Sequence, residues 1–153
     1  IRSDSLLEGI AKKSLEKLDE FSSQQLANTL WSFAKLRFEH AELFQASSAL
    51  AVGASAKDSW PTRQLGNTAW AMAAMEIGDD PLMCAIATSA VAQRDDLNTQ
   101  GLANLLWAFA TTKWLQPSLF APLVQRATEL APDMKPQELA NVVWSCATLR
   151  HYD

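Results

Sequence analysis

The sequence predicts an all-α protein: an α-solenoid of tandem helix-turn-helix repeats, each about 37–39 residues long, with roughly eight helices in all. Three observations carry that prediction. The stretch QQLANTLWSFAKL at 24–36 returns as RQLGNTAWAMAAM at 63–75, QGLANLLWAFATT at 100–112 and QELANVVWSCATL at 137–149. Its tryptophans, Trp31, Trp70, Trp107 and Trp144, stand 39, 37 and 37 residues apart, inside the range of helical solenoids. Each copy also has a helical period: from Leu26, the apolar residues Leu30, Phe33 and Ala34 fall at i+4, i+7 and i+8, with Ala27 and Trp31 widening the stripe.

Two kinds of helix alternate, a motif helix A and a second helix B. The chain opens at 3–18 on a B helix, whose Leu6-Leu7 pair precedes Leu26 by twenty residues, as Leu82-Met83 precedes Leu102 and Leu119-Phe120 precedes Leu139. The first A helix is expected over 23–37. Phe21 stands five residues before Leu26 as a hydrophobic staple, and Ser22 with Gln25 has the pattern of a capping box. The next B helix, 41–56, carries Leu43-Phe44. A helix over 62–76 follows the staple Trp60 and the weak cap Pro61; it is the most divergent copy, with Gly66 for Ala and Met72 at an aromatic position. B at 81–93 starts on Pro81. A at 99–113 follows Leu97 and the good cap Asn98. B at 117–130 contains Pro122, expected to delay or bend it. The last A helix, 136–150, has Met134 as staple, Lys135 at the cap and Pro136 at the first helical position, where a missing N–H costs nothing.

The organisation expected is therefore one solenoid segment, 1–153: helix B of a preceding repeat at 3–18, repeats at 22–56, 61–93 and 98–130, and helix A of a fourth at 135–153. Two extra residues of the first repeat fall in the loop 56–59. Neither end carries a polar capping repeat, so the segment reads as part of a longer array or as a subunit that partners cap.

Composition narrows the function. With 48% apolar and 20% charged residues the balance is that of a soluble globular domain, and there is no run apolar enough to span a membrane. Cys84 and Cys146 lie inside helical patterns and read as small apolar residues, not as a disulfide. His40 and His151 are the two histidines, set in different repeats without Cys or carboxylate at metal-ligand spacing. No phosphate loop or nucleophile motif is present, so neither an enzyme, a cofactor nor a metal site is expected.

The pattern Q-x-L-A-N-x-x-W-x-x-A, carried by Gln100, Leu102, Ala103, Asn104, Trp107 and Ala110, and nearly as well by Gln137, Leu139, Ala140, Asn141, Trp144 and Ala147, resembles the octotricopeptide repeat. That resemblance implies binding of organellar RNA, about one nucleotide per repeat along the A-helix surface, in RNA processing, stability or translation. It implies a chloroplast or mitochondrial setting and no chemistry.

Several residues are candidates for that role. Leu26, Leu65, Leu102 and Leu139, with Trp31, Trp70, Trp107 and Trp144, are expected to form the repeat core, although an exposed indole could stack on a base. Asn28, Asn67, Asn104 and Asn141 border the apolar arc and are expected to bond neighbouring backbone; exposed, they could read bases. A code needs exposed positions that vary. The side opposite the arc supplies Gln25, Thr29 and Ser32, then Gln64, Thr68 and Ala71, then Gly101, Leu105 and Ala108, then Glu138, Val142 and Ser145. The other possibility is that this side packs on the next A helix. Lys35, Arg37, Lys113 and Arg150 cluster at A-helix C-termini and Arg63 at an N-terminus, as cations for phosphate or as complements to the helix dipole. A net charge of −4 opposes RNA binding and favours the rival reading, a structural scaffold that docks protein subunits of a large organellar assembly such as a ribosome or photosynthetic complex.

Overall fold

The computed structural model describes residues 3–55 and 60–149. They form eight α-helices: α1 (Asp4–Glu16), α2 (Ser23–Leu36), α3 (Ala41–Ser55), α4 (Thr62–Ala74), α5 (Asp80–Ala92), α6 (Thr99–Thr111), α7 (Pro117–Leu130) and α8 (Pro136–Leu149). Among the described residues there is no strand. Short 3-10 turns at Leu18–Glu20, Arg94–Asp96 and Ala131–Asp133 lead from three of the B helices into the next A helix. The loop 56–59, residue Arg150 and residues 151–153 lie outside the described residues.

The helices make two layers. In the A layer α2 packs on α4, α4 on α6 and α6 on α8; in the B layer α1 packs on α3, α3 on α5 and α5 on α7. Each A helix from α2 to α6 also meets the B helix that follows it, so α2 touches α3, α4 touches α5 and α6 touches α7. The core lies between the layers. Leu26, Leu30, Leu65, Leu102 and Leu106 from the A side meet Leu43, Phe44, Leu82, Met83, Phe120 and Leu123 from the B side, all almost wholly buried. Alanine and glycine let the A helices approach closely. A Cβ placed on Gly66 would stand 3.1 Å from the carbonyl oxygen of Gly101, which explains why this repeat has Gly where the others have Ala.

Helix starts follow the residues. Ser22 and Gln25 form the expected capping box, and Asn98 accepts from the Gly101 N–H. Asp79 caps α5 through Leu82 N–H and also accepts from Ser48 of α3, tying the start of one B helix to its neighbour. At the ends of α2, α4 and α6 the chain closes with a Schellman pattern: Phe38 N–H reaches Phe33 O, Ile77 reaches Met72, and Trp114 reaches Phe109. The accompanying apolar contact is aromatic in two of them, with ring centroids 5.7 Å apart for Phe33 and Phe38 and 4.9 Å for Phe109 and Trp114.

Two expectations change. Pro122 does not delay α7, which starts at Pro117 and runs through it. A proline this near the start removes a single i→i−4 bond, and its would-be partner, Ser118, is exposed to water. Leu139 is not a core residue like its counterparts: it is 39% exposed and Val143 69%, whereas Leu102 and Leu106 at the matching positions of α6 are fully buried. The difference is the B helix, since α7 covers α6 and no described B helix covers that side of α8.

Candidate nucleic-acid interface

An A helix inside the layer is covered on three sides, by its two A neighbours and by its B partner. What remains is one stripe, stepped by four, three and four residues. On α4 the stripe is Arg63, Asn67, Trp70 and Ala74, and on α6 it is Gln100, Asn104, Trp107 and Thr111. On α2 it is Gln24, Asn28, Trp31 and Lys35, and on α8 Gln137, Asn141, Trp144 and Thr148. The residues that recur in the motif, Gln, Asn and Trp, are therefore the ones the fold leaves toward solvent.

The tryptophans correct the sequence expectation. Trp31 is 40% and Trp144 46% exposed, while Trp70 and Trp107 are half-buried and packed against the core. They run across the layer as a ladder: Trp31 and Trp70 have ring centroids 6.3 Å apart, tilted at 42°, and Trp70 and Trp107 stack at 6.3 Å with 26° between planes. Lys35 lies over both of the first two rings, its ammonium 5.3 Å from the Trp31 centroid and 4.9 Å from that of Trp70.

The asparagines also depart from expectation. Among the described residues the side-chain amides of Asn28, Asn67 and Asn104 bond no neighbouring backbone, and Asn141 accepts from Gln137 on its own helix. Asn28, Asn67 and Asn104 instead line a groove of about 400 Å³ with Trp31, Arg63 and Gln100. A second cavity, of about 440 Å³, opens at the C-terminal ends of α2, α4 and α6 and is lined by Trp70, Trp107, Lys35, Arg37 and Glu76. Amides with free donors and acceptors beside aromatic rings are the groups that recognise the edges and faces of unpaired bases.

The positions expected to vary and be exposed are mostly interior. Thr68 is fully buried with its hydroxyl unpaired, and Gln64 is half-buried with an unpaired carbonyl oxygen. Glu138 is buried too, its carboxylate accepting from the Lys135 N–H at the start of α8. Leu105, Ala71, Ala108 and Ser145 are equally buried. They vary because each fits the neighbouring A helix. Gln25 is exposed but occupied in the capping box, and the Thr29 hydroxyl donates to the Gln25 carbonyl. Leu26, Leu65 and Leu102 are core, as expected.

Charge divides between the layers. Lys35, Arg37, Arg63 and Lys113 on the A side are exposed, and none makes an ion pair among the described residues. The B side holds its cations in pairs: Lys12 with Glu8, Lys13 with Glu16, Lys17 with Glu20, and Arg94 and Arg126 with Glu129. The Lys13 ammonium, with a smaller contribution from Lys17, holds the Glu16 carboxyl below its ordinary range. Of the acidic residues in and capping the A helices, Glu138 is buried and Glu76 faces solvent. The net −4 of the chain is thus an average over an acidic, paired B side and an A side with unpaired cations.

Among the described residues no cluster of His, Cys, Asp or Glu could hold a metal. Both cysteines are free, and burial raises the Cys146 thiol above its ordinary value, away from the reactive thiolate. Among the described residues no helix is long and apolar enough to cross a membrane.

Arg150, the remaining predicted cation, lies outside the described residues. Glu76 was not among the residues expected from sequence, and Trp31 and Trp144, expected in the core, are exposed. The available signal was that Gln, Asn and Trp recur at steps of four and three while the residues between them change size. No curated protein matches the chain. The family model for the RNA-editing substrate-binding complex 6 protein matches residues 1–153. The chain, a helical array with a row of indoles and amides partly exposed along one face, belongs to the RESC6 family.

Proposed function

We propose that this protein binds single-stranded RNA along the exposed stripe of its A helices, as a non-catalytic module in organellar RNA processing, stability or translation. The observation that carries the reading is the ladder of Trp31, Trp70 and Trp107, exposed at Trp31 and partly exposed at Trp70 and Trp107, beside Asn28, Asn67 and Asn104 and flanked by unpaired cations. Aromatic rings accept any base by stacking, at roughly 1–3 kcal/mol per base, and cations follow the backbone. One repeat presents one Gln or Arg, one Asn and one Trp, which suits the octotricopeptide-like register of about one nucleotide per repeat. Membership of a family named for an RNA-editing substrate-binding complex supports a role on RNA, and the organellar setting rests on the octotricopeptide-like motif.

Filter binding of a mixed-sequence single-stranded RNA at two salt concentrations tests this. Salt-sensitive binding that disappears when Lys35, Arg37 and Lys113 are changed to Glu supports the proposal; no binding at micromolar protein rejects it.

A second reading has one observation in its favour. Leu139 and Val143 form an exposed apolar patch on α8, a surface suited to a protein subunit of the same assembly. In that case the protein would bridge RNA and protein, or serve as scaffold alone.

A further inference from the structure

The residue that ends α2, α4 and α6 in the left-handed conformation is a long charged one. Arg37, Glu76 and Lys113 have φ of 48°, 57° and 56°, in a position that helices usually give to glycine. They keep the repeat spacing of the tryptophans, and Glu76 alone of the three is acidic.

Glu76 lines the cavity of about 440 Å³ between the ends of α2, α4 and α6. Trp70 and Trp107 form its aromatic side, Ala73 and Ala74 leave it room, and Lys35 and Arg37 stand on its rim. The Glu76 carboxylate takes no hydrogen bond or ion pair among the described residues, even with two cations on the same cavity. An acidic group pointed at an RNA surface weakens phosphate binding, so its use there is as an acceptor for base donors.

Building on the RNA-binding reading, we infer that this cavity is a guanine subsite. The base lies against the Trp70 and Trp107 rings, its phosphate meets Lys35 and Arg37, and Glu76 reads its Watson–Crick edge. Guanine offers two adjacent donors there, N1–H and the N2 amine, which match the two oxygens of one carboxylate as a bidentate pair. Adenine and cytosine set a ring acceptor beside their amine, and that acceptor faces the second carboxylate oxygen. Uracil has one N–H between two carbonyls. Each of these leaves at least one repulsive contact.

The test uses four nine-nucleotide RNAs, U9 and U9 with its central base replaced by G, A or C, titrated against the wild type and the variants E76Q, E76K and W70A. The wild type should bind the G oligonucleotide about tenfold more tightly than the other three, as a bidentate base contact does. E76Q should reduce that preference to below about threefold. E76K should remove it and tighten U9, and W70A should weaken all four oligonucleotides. Equal binding of the four by the wild type, a preference for A or C, or a G preference that survives in E76K overturns the guanine assignment. If wild-type binding depends on Trp70 but not on the central base, only this inference fails; if none of the RNAs binds at low salt, the RNA-binding reading fails with it.

Discussion

The indoles of Trp70 and Trp107 stack 6.3 Å apart at 26°, although they come from adjacent repeats. A contact that links repeat to repeat at the edge of the core serves packing less than a core contact does, because Trp70 and Trp107 are only partly buried. Replacing Trp70 by Ala is therefore expected to lower stability by about 1–2 kcal/mol, less than the roughly 3–5 kcal/mol expected for Phe109→Ala in the core. RNA affinity should fall by roughly 1–3 kcal/mol. Urea denaturation and fluorescence titration measure the two separately, and a variant that unfolds like Phe109→Ala would return Trp70 to the core.

The division of charge gives a paired comparison. The triple change of Lys35, Arg37 and Lys113 to Glu should abolish RNA binding, and replacing them by Gln should lower the salt slope by about one unit for each phosphate no longer neutralised. The same triple change at Lys12, Lys13 and Lys17 alters net charge equally, but should leave the slope near that of the wild type. Equal weakening by both sets would mean that binding follows net charge and not the A face.

Thr68 separates packing from recognition. Its hydroxyl is buried without a partner in α4, so Thr68→Val should stabilise the fold by about 1 kcal/mol and leave RNA affinity unchanged. Weaker binding with unchanged stability would show that this position contacts RNA after all.

Glycines differ by what surrounds them. Gly66→Ala forces a Cβ to within 3.1 Å of the Gly101 backbone and should cost about 1–3 kcal/mol as α4 and α6 separate. Gly9→Ala, with nothing within 4 Å in the middle of α1, should instead add about 0.5–1 kcal/mol. Thermal melting of the two variants should move in opposite directions.

Much of this architecture was legible from Trp spacing, staples and caps. The helix at 99–113 differs from observed α6 only in its last two residues, and Ser22 and Asn98 cap the helices they were expected to cap. The helices were readable because start signals are local. The orientation of the stripe was not. An apolar arc on a helical wheel marks the covered sides, but a helix held between two like neighbours has three of them, and its wheel is then nearly all apolar. Trp31 looked like one more core residue for that reason, and Thr68 like a surface one. Which side is left open depends on how the A helices pack on one another, through contacts such as Gly66 on Gly101.

The pairing of every B-side cation that carries an ion partner, against the bare cations of the A side, gives the molecule a front and a back. Approaching a polyanion, it would turn its front inward, and the acidic back would then repel any second strand. On the RNA-binding proposal, one RNA per molecule is expected, and a chain of net negative charge should still be held by heparin.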